Sequence, residues 1–266
     1  MMFEYQFMQN ALIAILLITP IFGILGTMIV NNKMAFFSDA LGHSAFTGIA
    51  LGVILGVQNT LLSMIVFGVI FALLLNWIRT KSVVSMDTII SVFSSFGMAI
   101  GLAILSLGGN FAKYNSLLIG DILSITRQEI IGLLLAFLIV LIFWYVCFNQ
   151  LHAMSINRSL AKTKGIFVEL IDPLFVILMA VVVMLSIQWV GLLIINALLI
   201  LPAASSRNIA YNMRTYHLYS IIISMLSGSI GLVLSYYLGI ATGPMIVIVA
   251  SLIFFLTLLL SKKKRR

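Results

Sequence analysis

The sequence predicts an all-α, polytopic membrane protein with eight to nine transmembrane helices. Of its 266 residues, 62% are hydrophobic and only 8% are charged, and the mean hydropathy is +1.22. Apolar runs of spanning length recur from one end of the chain to the other, which a soluble domain with one core would not need. The cations gather in short clusters between these runs, as they do in membrane proteins.

The apolar runs give the predicted helices in chain order. The first run, Ala11 to Val30, is followed by another membrane-grade helix, so we interpret it as a span and not as a removable signal peptide. The run at 190–206 is short, begins near Gly191 and contains Pro202, which indicates a broken or re-entrant helix and leaves eight full spans as the main alternative. The predicted segments are 10–30, 35–57, 60–78, 87–108, 128–148, 168–188, 190–206, 216–238 and 243–260.

The positions of the cations predict the orientation in the membrane. The connections that we assign to the cytoplasm carry Lys33, Arg79, Lys81, Arg158, Lys162, Lys164, Arg207, Arg214 and the terminal residues Lys262 to Arg266. The connections on the opposite side contain only two cations, Lys113 and Arg127. The C-terminus is therefore predicted to be cytoplasmic, and nine spans would put the N-terminus outside. Because topology accounts for the net charge of +8, nucleic-acid binding is not expected.

No soluble domain remains once the spans are removed, so residues 1–266 are predicted to form a single transmembrane domain. Its longest polar connection, residues 149–165, is too short to be a domain of its own. The single cysteine, Cys147, lies in a predicted span, which excludes an internal disulfide and a thiolate metal cluster. Gly48, Gly52 and Gly56 recur at four-residue spacing, which favours close packing of neighbouring helices.

The stretch FFSDALGHSAFTGIALG puts two ionisable residues, Asp39 and His43, into an otherwise lipid-compatible helix. Four residues apart, they share one helix face. A carboxylate in hydrocarbon costs at least about 2.5 to 3.5 kcal/mol, so this face must meet a polar cavity, a partner or a cation. A hydrogen-bonded pair that only positions helices, a solvated helix cap, a proton relay and a metal site all remain open at this stage.

A carboxylate oxygen with an imidazole nitrogen suits zinc, manganese or iron, and the lack of a nearby thiolate argues against copper(I). Two ligands are too few for a closed site, whereas a two-fold dimer with this helix at its axis would bring four together. The remaining acids and histidines carry less information. Asp87 and Asp172 are interpreted as helix-start or interfacial residues. Asp121 is interpreted as a solvated loop acid, with a position facing an entry vestibule as the alternative, and His152 and His217 lack a partner at ligand spacing.

The sequence SDALGHSAFTGIALG resembles the signature of the membrane permeases of ATP-binding-cassette importers for zinc, manganese and iron, with Asp39, His43, Gly48, Ala50 and Gly52 at the matching positions. Three further stretches resemble that family: MDTIISVFSSFGMAIGL, GLLIINALLILPAASSR and SYYLGIATGPMIVIVAS. The resemblance covers nearly the whole chain. It implies a permease homodimer, cytoplasmic ATP-binding subunits, an extracytoplasmic metal-binding protein, and a metal path through Asp39 and His43.

The stretch FNQLHAMSINRSLAKTKGI resembles the cytoplasmic coupling segment of these permeases. It departs from the family pattern at both ends, with Asn149 or Gln150 where an acidic start is usual and Lys164-Gly165 where Ala-Leu-Gly is usual. The resemblance implies that the segment forms one or two short helices on the membrane surface and contacts the ATPase. The residues that it assigns to this contact are Leu151, His152, Ser155, Leu160, Ala161 and Gly165.

The chain contains no G-x-x-x-x-G-K-[ST] phosphate loop, so it cannot hydrolyse ATP by that route and is not expected to be an enzyme. ATP hydrolysis would need a separate subunit. The leading hypothesis is thus the permease of a metal importer in the cytoplasmic membrane, with the metal as cargo and no covalently bound cofactor. The alternatives are a stand-alone proton-coupled metal carrier that uses Asp39 and His43 as its relay, and a membrane scaffold without transport activity.

Overall fold

The computed structural model describes residues 4–81, 86–107 and 122–264, and all regular secondary structure within these ranges is helical. The predicted all-α fold is therefore confirmed. A short 3₁₀ turn, Ile122–Ser124, precedes the helices of the second half. The helices are α1 (Gln6–Asn31), α2 (Ala35–Ile54), α3 (Thr60–Lys81), α4 (Met86–Leu107), α5 (Arg127–Ile156), α6 (Arg158–Thr163), α7 (Val168–Val190), α8 (Leu192–Ile209), α9 (Met213–Leu238) and α10 (Thr242–Lys264).

Eight helices in the described ranges are long and apolar enough to cross a membrane, and the eight-span alternative matches this number. Helix α8 is not among these eight. It lies in the run at 190–206, which the sequence predicts to be short. It is one helix with Pro202 inside it, not a broken one. A single residue, Gly191 with φ 83°, separates it from α7. The positive φ, which glycine adopts without strain, ends one helix just before the next begins.

The contacts within the chain group the helices into two units. In the first unit, which holds α1, α5, α8, α9 and α10 apart from single end residues, α1 packs closely on α9. Ser220 Oγ donates to the Gly23 carbonyl oxygen at 2.8 Å, and a Cβ on Gly23 would come within 2.8 Å of the Ile221 Cα. The absence of a side chain there lets the two backbones meet. The predicted single domain of residues 1–266 stays a prediction.

In the second unit, α2 packs against α3, α4 and α7. Its contact with α4 is the closest to the candidate site: Thr47 Oγ1 donates to the Gly97 carbonyl oxygen. A Cβ on Gly101 would stand 2.5 Å from the Thr47 backbone nitrogen. Because Gly101 has no Cβ, α4 can lie directly against the helix that carries Asp39 and His43.

The three glycines that recur at four-residue spacing, Gly48, Gly52 and Gly56, do not share one role. Gly48 and Gly52 face α3, where a Cβ on Gly48 would lie 3.1 Å from the Met64 Cα and a Cβ on Gly52 would overlap Ser63. Gly56 instead follows the end of α2 with φ 69°, and a Cβ there would meet nothing within 4 Å. Gly56 therefore makes no close helix contact within this chain, because it lies in the turn that ends the helix, and its packing role stays a prediction.

The polar connection predicted at 149–165 is shorter in the structure. Helix α5 does not end near residue 148 but continues as a 30-residue helix to Ile156. The short helix α6 follows, and the Asn157 side chain caps it by accepting from the Leu160 backbone nitrogen at 3.1 Å. The predicted surface segment is thus the end of a long helix followed by one short helix of six residues.

Candidate metal-binding site

Asp39 and His43 lie in the first half of α2, with one helical turn between them. The distance from His43 Nε2 to Asp39 Oδ1 is 3.5 Å, and the side chains are 27% and 43% exposed for His43 and Asp39, respectively. Both are therefore accessible in the isolated chain. His43 Nδ1 is buried and has no hydrogen-bond partner among the described residues.

The pair lines a cavity of about 680 Å³ between α2 and α4. The α4 wall carries four hydroxyl groups, and the remaining lining side chains are mostly apolar. Such a cavity provides the polar surroundings that a carboxylate in a spanning helix requires. The lining residues are Phe36, Asp39, His43, Thr88, Ile90, Ser91, Val92, Ser94, Ser95 and Met98.

The arrangement offers one carboxylate oxygen and one imidazole nitrogen to a cation in the cavity. This donor set suits the divalent ions of zinc, manganese and iron. No group of three His, Cys, Asp or Glu side chains that could hold a metal ion occurs in the described part of the chain. A divalent ion bound here would have two such ligands from one copy, and water, serine hydroxyls or a second copy would have to supply the others.

Asp172 is the functional candidate that sequence reasoning missed. Helix α7 already begins at Val168, so Asp172 is its fifth residue and not a helix-start residue, and its side chain is 9% exposed. Arg79 Nη2 of α3 donates to both carboxylate oxygens at 3.0 Å. Arg158 Nη2, at the first residue of α6, donates to Oδ1 at 2.7 Å. The helix-start interpretation of Asp172 is therefore wrong, and two guanidinium groups compensate its buried charge.

His152 and His217 also meet in the structure, although neither has a partner at ligand spacing in the sequence. Their ring centroids are 6.2 Å apart, and Phe148 lies against both. His217 Nδ1 lies 2.8 Å from the Met213 carbonyl oxygen, while its Nε2 is buried and unpartnered among the described residues. Only the helical spacing of Trp144, Phe148 and His152 on α5 hinted at this aromatic cluster.

The residues assigned to ATPase contact belong to two different units. Leu151, His152 and Ser155 lie near the end of α5, where Leu151 is buried and Ser155 Oγ donates to the His152 carbonyl oxygen. Of the three others, Leu160 is exposed and Ala161 is buried on α6. Gly165 has φ 80° in the turn that follows α6.

Exposed side chains lie on and around α6. Leu160 and Phe167 are 53% and 78% exposed, respectively. Beside them, Lys162 Nζ forms an ion pair with Glu169 Oε1 at 2.7 Å, and both side chains are largely exposed.

Asp121 and Lys113, to which the sequence assigned loop positions, lie outside the described residues, as does the side chain of Asp87.

Comparison with known proteins places the whole chain in one family. The family model described as "ABC 3 transport family" matches residues 4–261. The high-affinity zinc uptake system membrane protein ZnuB of Haemophilus influenzae is 33% identical over 254 residues, which are 95% of this chain and 96% of ZnuB. The manganese import system permease protein ScaB of Streptococcus parasanguinis is 30% identical over 264 residues, which are 99% of this chain and 94% of ScaB.

The fold is also similar to a solved structure, PsaBC from Streptococcus pneumoniae in complex with Fab. The TM-score is 0.84 at 28% sequence identity, and the match covers 96% of this chain and 92% of that one. The family resemblance that the motif around Asp39 and His43 indicated is thereby confirmed. The chain belongs to the ABC 3 transport family.

Proposed function

We propose that this chain is the permease subunit of an ATP-driven importer that moves manganese or zinc across the cytoplasmic membrane. The observation that carries the proposal is the Asp39–His43 pair, which lines a polar cavity on a spanning helix in a member of the ABC 3 transport family. The names of its relatives support the choice of cargo, since ZnuB is a zinc uptake protein and ScaB a manganese import permease. Iron suits the same donors.

The metal path runs past Asp39 and His43, which act as transient ligands. A transported ion must be bound firmly enough to enter and weakly enough to leave. Two side-chain ligands from one copy hold a divalent ion weakly, with water completing its coordination. A homodimer with the cavities of both copies facing the path would double the number of ligands to two carboxylates and two imidazoles.

Energy comes from separate ATP-binding subunits, because the chain has no phosphate loop. They dock on α6 and the exposed apolar side chains of Leu160 and Phe167. A metal-binding protein delivers the ion on the opposite side of the membrane. Large exposed apolar side chains such as Leu160 and Phe167 are typical of a surface that a partner covers.

The contacts of Arg79 support the assignment of these surfaces to the cytoplasm. Arg79 Nη1 donates to Met34 Sδ, next to Lys33, and Arg79 shares the Asp172 carboxylate with Arg158. Three of the connections that carry cations therefore lie at the same end of the second unit: the one that leads into Met34, the one that begins at Arg79 and the one that contains Arg158. The positive-inside rule assigns this end, and by the same cation count the C-terminus, to the cytoplasm.

Reconstitution into liposomes tests the proposal. Liposomes that contain this chain and its ATP-binding subunit, supplied with the metal-binding protein, should accumulate radioactive manganese or zinc only when ATP reaches the ATP-binding subunit. Liposomes with this chain alone are the control and should accumulate none. The purified complex should contain two copies of this chain by native mass.

Two results would contradict the proposal. Uptake by the chain alone that a protonophore abolishes would instead identify the proton-coupled carrier. Absence of uptake from the complete complex, with manganese and with zinc, would exclude both transport functions.

A further inference from the structure

The Asp172 carboxylate joins three helices of the second unit at one buried point. It accepts from Arg79 of α3 and from Arg158 of α6, and it is itself part of α7. Asn76, one turn before Arg79 on α3, lines the same cavity as this carboxyl group. Arg79 and Asp172 are each less than 10% exposed, whereas Arg158 is 35% exposed. Breaking such a buried pair leaves an uncompensated charge, so the contacts hold the helices in one arrangement.

Arg79 extends this connection to α2. While its Nη2 contacts Asp172, its Nη1 donates to Met34 Sδ at 2.7 Å. Met34 is 1% exposed and occupies the N-cap position of α2, five residues before Asp39. The planar guanidinium fixes the directions of both contacts at once, which a lysine ammonium on a flexible stem cannot do.

A continuous path of side chains therefore leads from α6 to α2, the helix that carries Asp39 and His43. It consists of Arg158, Asp172, Arg79 and Met34. Arg158 is the first residue of α6 and donates to the Asp172 carboxylate, so this carboxylate is joined directly to the start of α6. Packed and charge-paired side chains of this kind carry energetic coupling between distant sites when the element they join has two arrangements.

We propose that this path, which we call the Asp172 relay, transmits the displacement of α6 to α2 and so couples ATP hydrolysis to the release of metal by Asp39 and His43. The proposal rests on the proposed function. In it, Arg79 and Asp172 are positioning residues. They do not touch the metal, and they set how much metal moves for each ATP hydrolysed.

The exposed ion pair between Lys162 and Glu169 provides a matched control. It joins the same two helices, α6 and α7, at the same 2.7 Å separation as Arg158 and Asp172. It has no described contact with α3 or α2. If any ion pair between α6 and α7 sufficed for coupling, loss of this one would matter as much.

The test is the ratio of metal transported to ATP hydrolysed in liposomes that contain the complete complex. Arg79→Lys keeps the positive charge but cannot contact Asp172 and Met34 together. Met34→Leu keeps the packing and removes the sulfur contact. Both variants should hydrolyse ATP at close to the wild-type rate, while the ratio falls about three- to tenfold. The metal concentration at half-maximal uptake should be unchanged, because Asp39 and His43 are intact.

Glu169→Gln, which breaks the exposed pair from the α7 side and leaves α6 unchanged, should keep the ratio at the wild-type value. The relay is contradicted if Arg79→Lys and Met34→Leu keep the wild-type ratio of metal transported to ATP hydrolysed. An equal fall in ATP hydrolysis and in uptake would also contradict it, because a merely structural role would lower both together. Failure of the proposed function looks different, because the wild-type complex would then transport no metal at all.

Discussion

Two aspartates of the second unit, Asp39 and Asp172, occupy the fifth position of their helices and yet have opposite surroundings. The Asp39 side chain is 43% exposed and lines a cavity beside the His43 imidazole. The Asp172 side chain is 9% exposed and accepts from two guanidinium groups. The first carboxylate can exchange ligands with the cavity, whereas the second cannot change a partner without exposing a buried charge. Position on a helix therefore does not decide the role of an acid in a membrane protein, and the partners do.

Asp172→Ala should produce the largest loss of stability. It leaves the Arg79 guanidinium buried without its counter-ion, and removal of one partner from a buried pair costs about 3 to 5 kcal/mol. Thermal unfolding in detergent measures the effect. The buried thiol of Cys147, the single cysteine of the chain, becomes reactive on unfolding and reports the midpoint.

The matched control is Asp39→Ala, which should leave the unfolding midpoint within about a degree or two of the wild type because a partly exposed acid contributes little to stability. Equal midpoints for the two variants would remove the contrast between the two aspartates.

Gly101→Ala should have an intermediate effect. Its Cβ would stand 2.5 Å from the Thr47 backbone nitrogen and 2.6 Å from the Phe46 carbonyl carbon, and backbone atoms cannot give way cheaply. Overpacking of this kind costs about 1 to 3 kcal/mol. Because α4 forms one wall of the cavity, metal uptake should fall together with the unfolding midpoint.

Gly97→Ala is the control on the same helix, since its Cβ would meet nothing closer than 3.7 Å. Its midpoint and uptake should equal those of the wild type or exceed them slightly. If Gly101→Ala behaved like Gly97→Ala, the close contact between α2 and α4 would not hold the cavity wall in place.

Much of the fold followed from the sequence, because a bilayer sets the length of a spanning helix and apolar runs of that length are easy to recognise. The error at α5 has a physical cause. Polar residues such as Asn149 and Gln150 predict the end of the span, but polar residues do not by themselves end a helix, and α5 continues past them to Ile156.

The candidate site was partly predictable for a similar reason. Asp39 and His43 form a local pair, and helix periodicity alone puts them on one face. The partners of Asp172 come from distant segments, and the sequence shows only that a spanning helix contains an acid and that α3 ends in cations. The meeting of His152 and His217 depends in the same way on the packing of α5 and α9, which no local pattern encodes.

The central claim is that Asp39 and His43 bind the transported metal while contributing little to the fold. The most direct test is accumulation of radioactive manganese and zinc in cells whose own importers are deleted, with Asp39→Asn, His43→Gln and the control Ile54→Ala compared at matched membrane expression. Ile54 is 63% exposed at the end of the same helix. Both site variants should lose uptake of manganese and of zinc, with unfolding midpoints equal to the wild type, while Ile54→Ala keeps full uptake. Full uptake of either metal by Asp39→Asn or His43→Gln would contradict the claim.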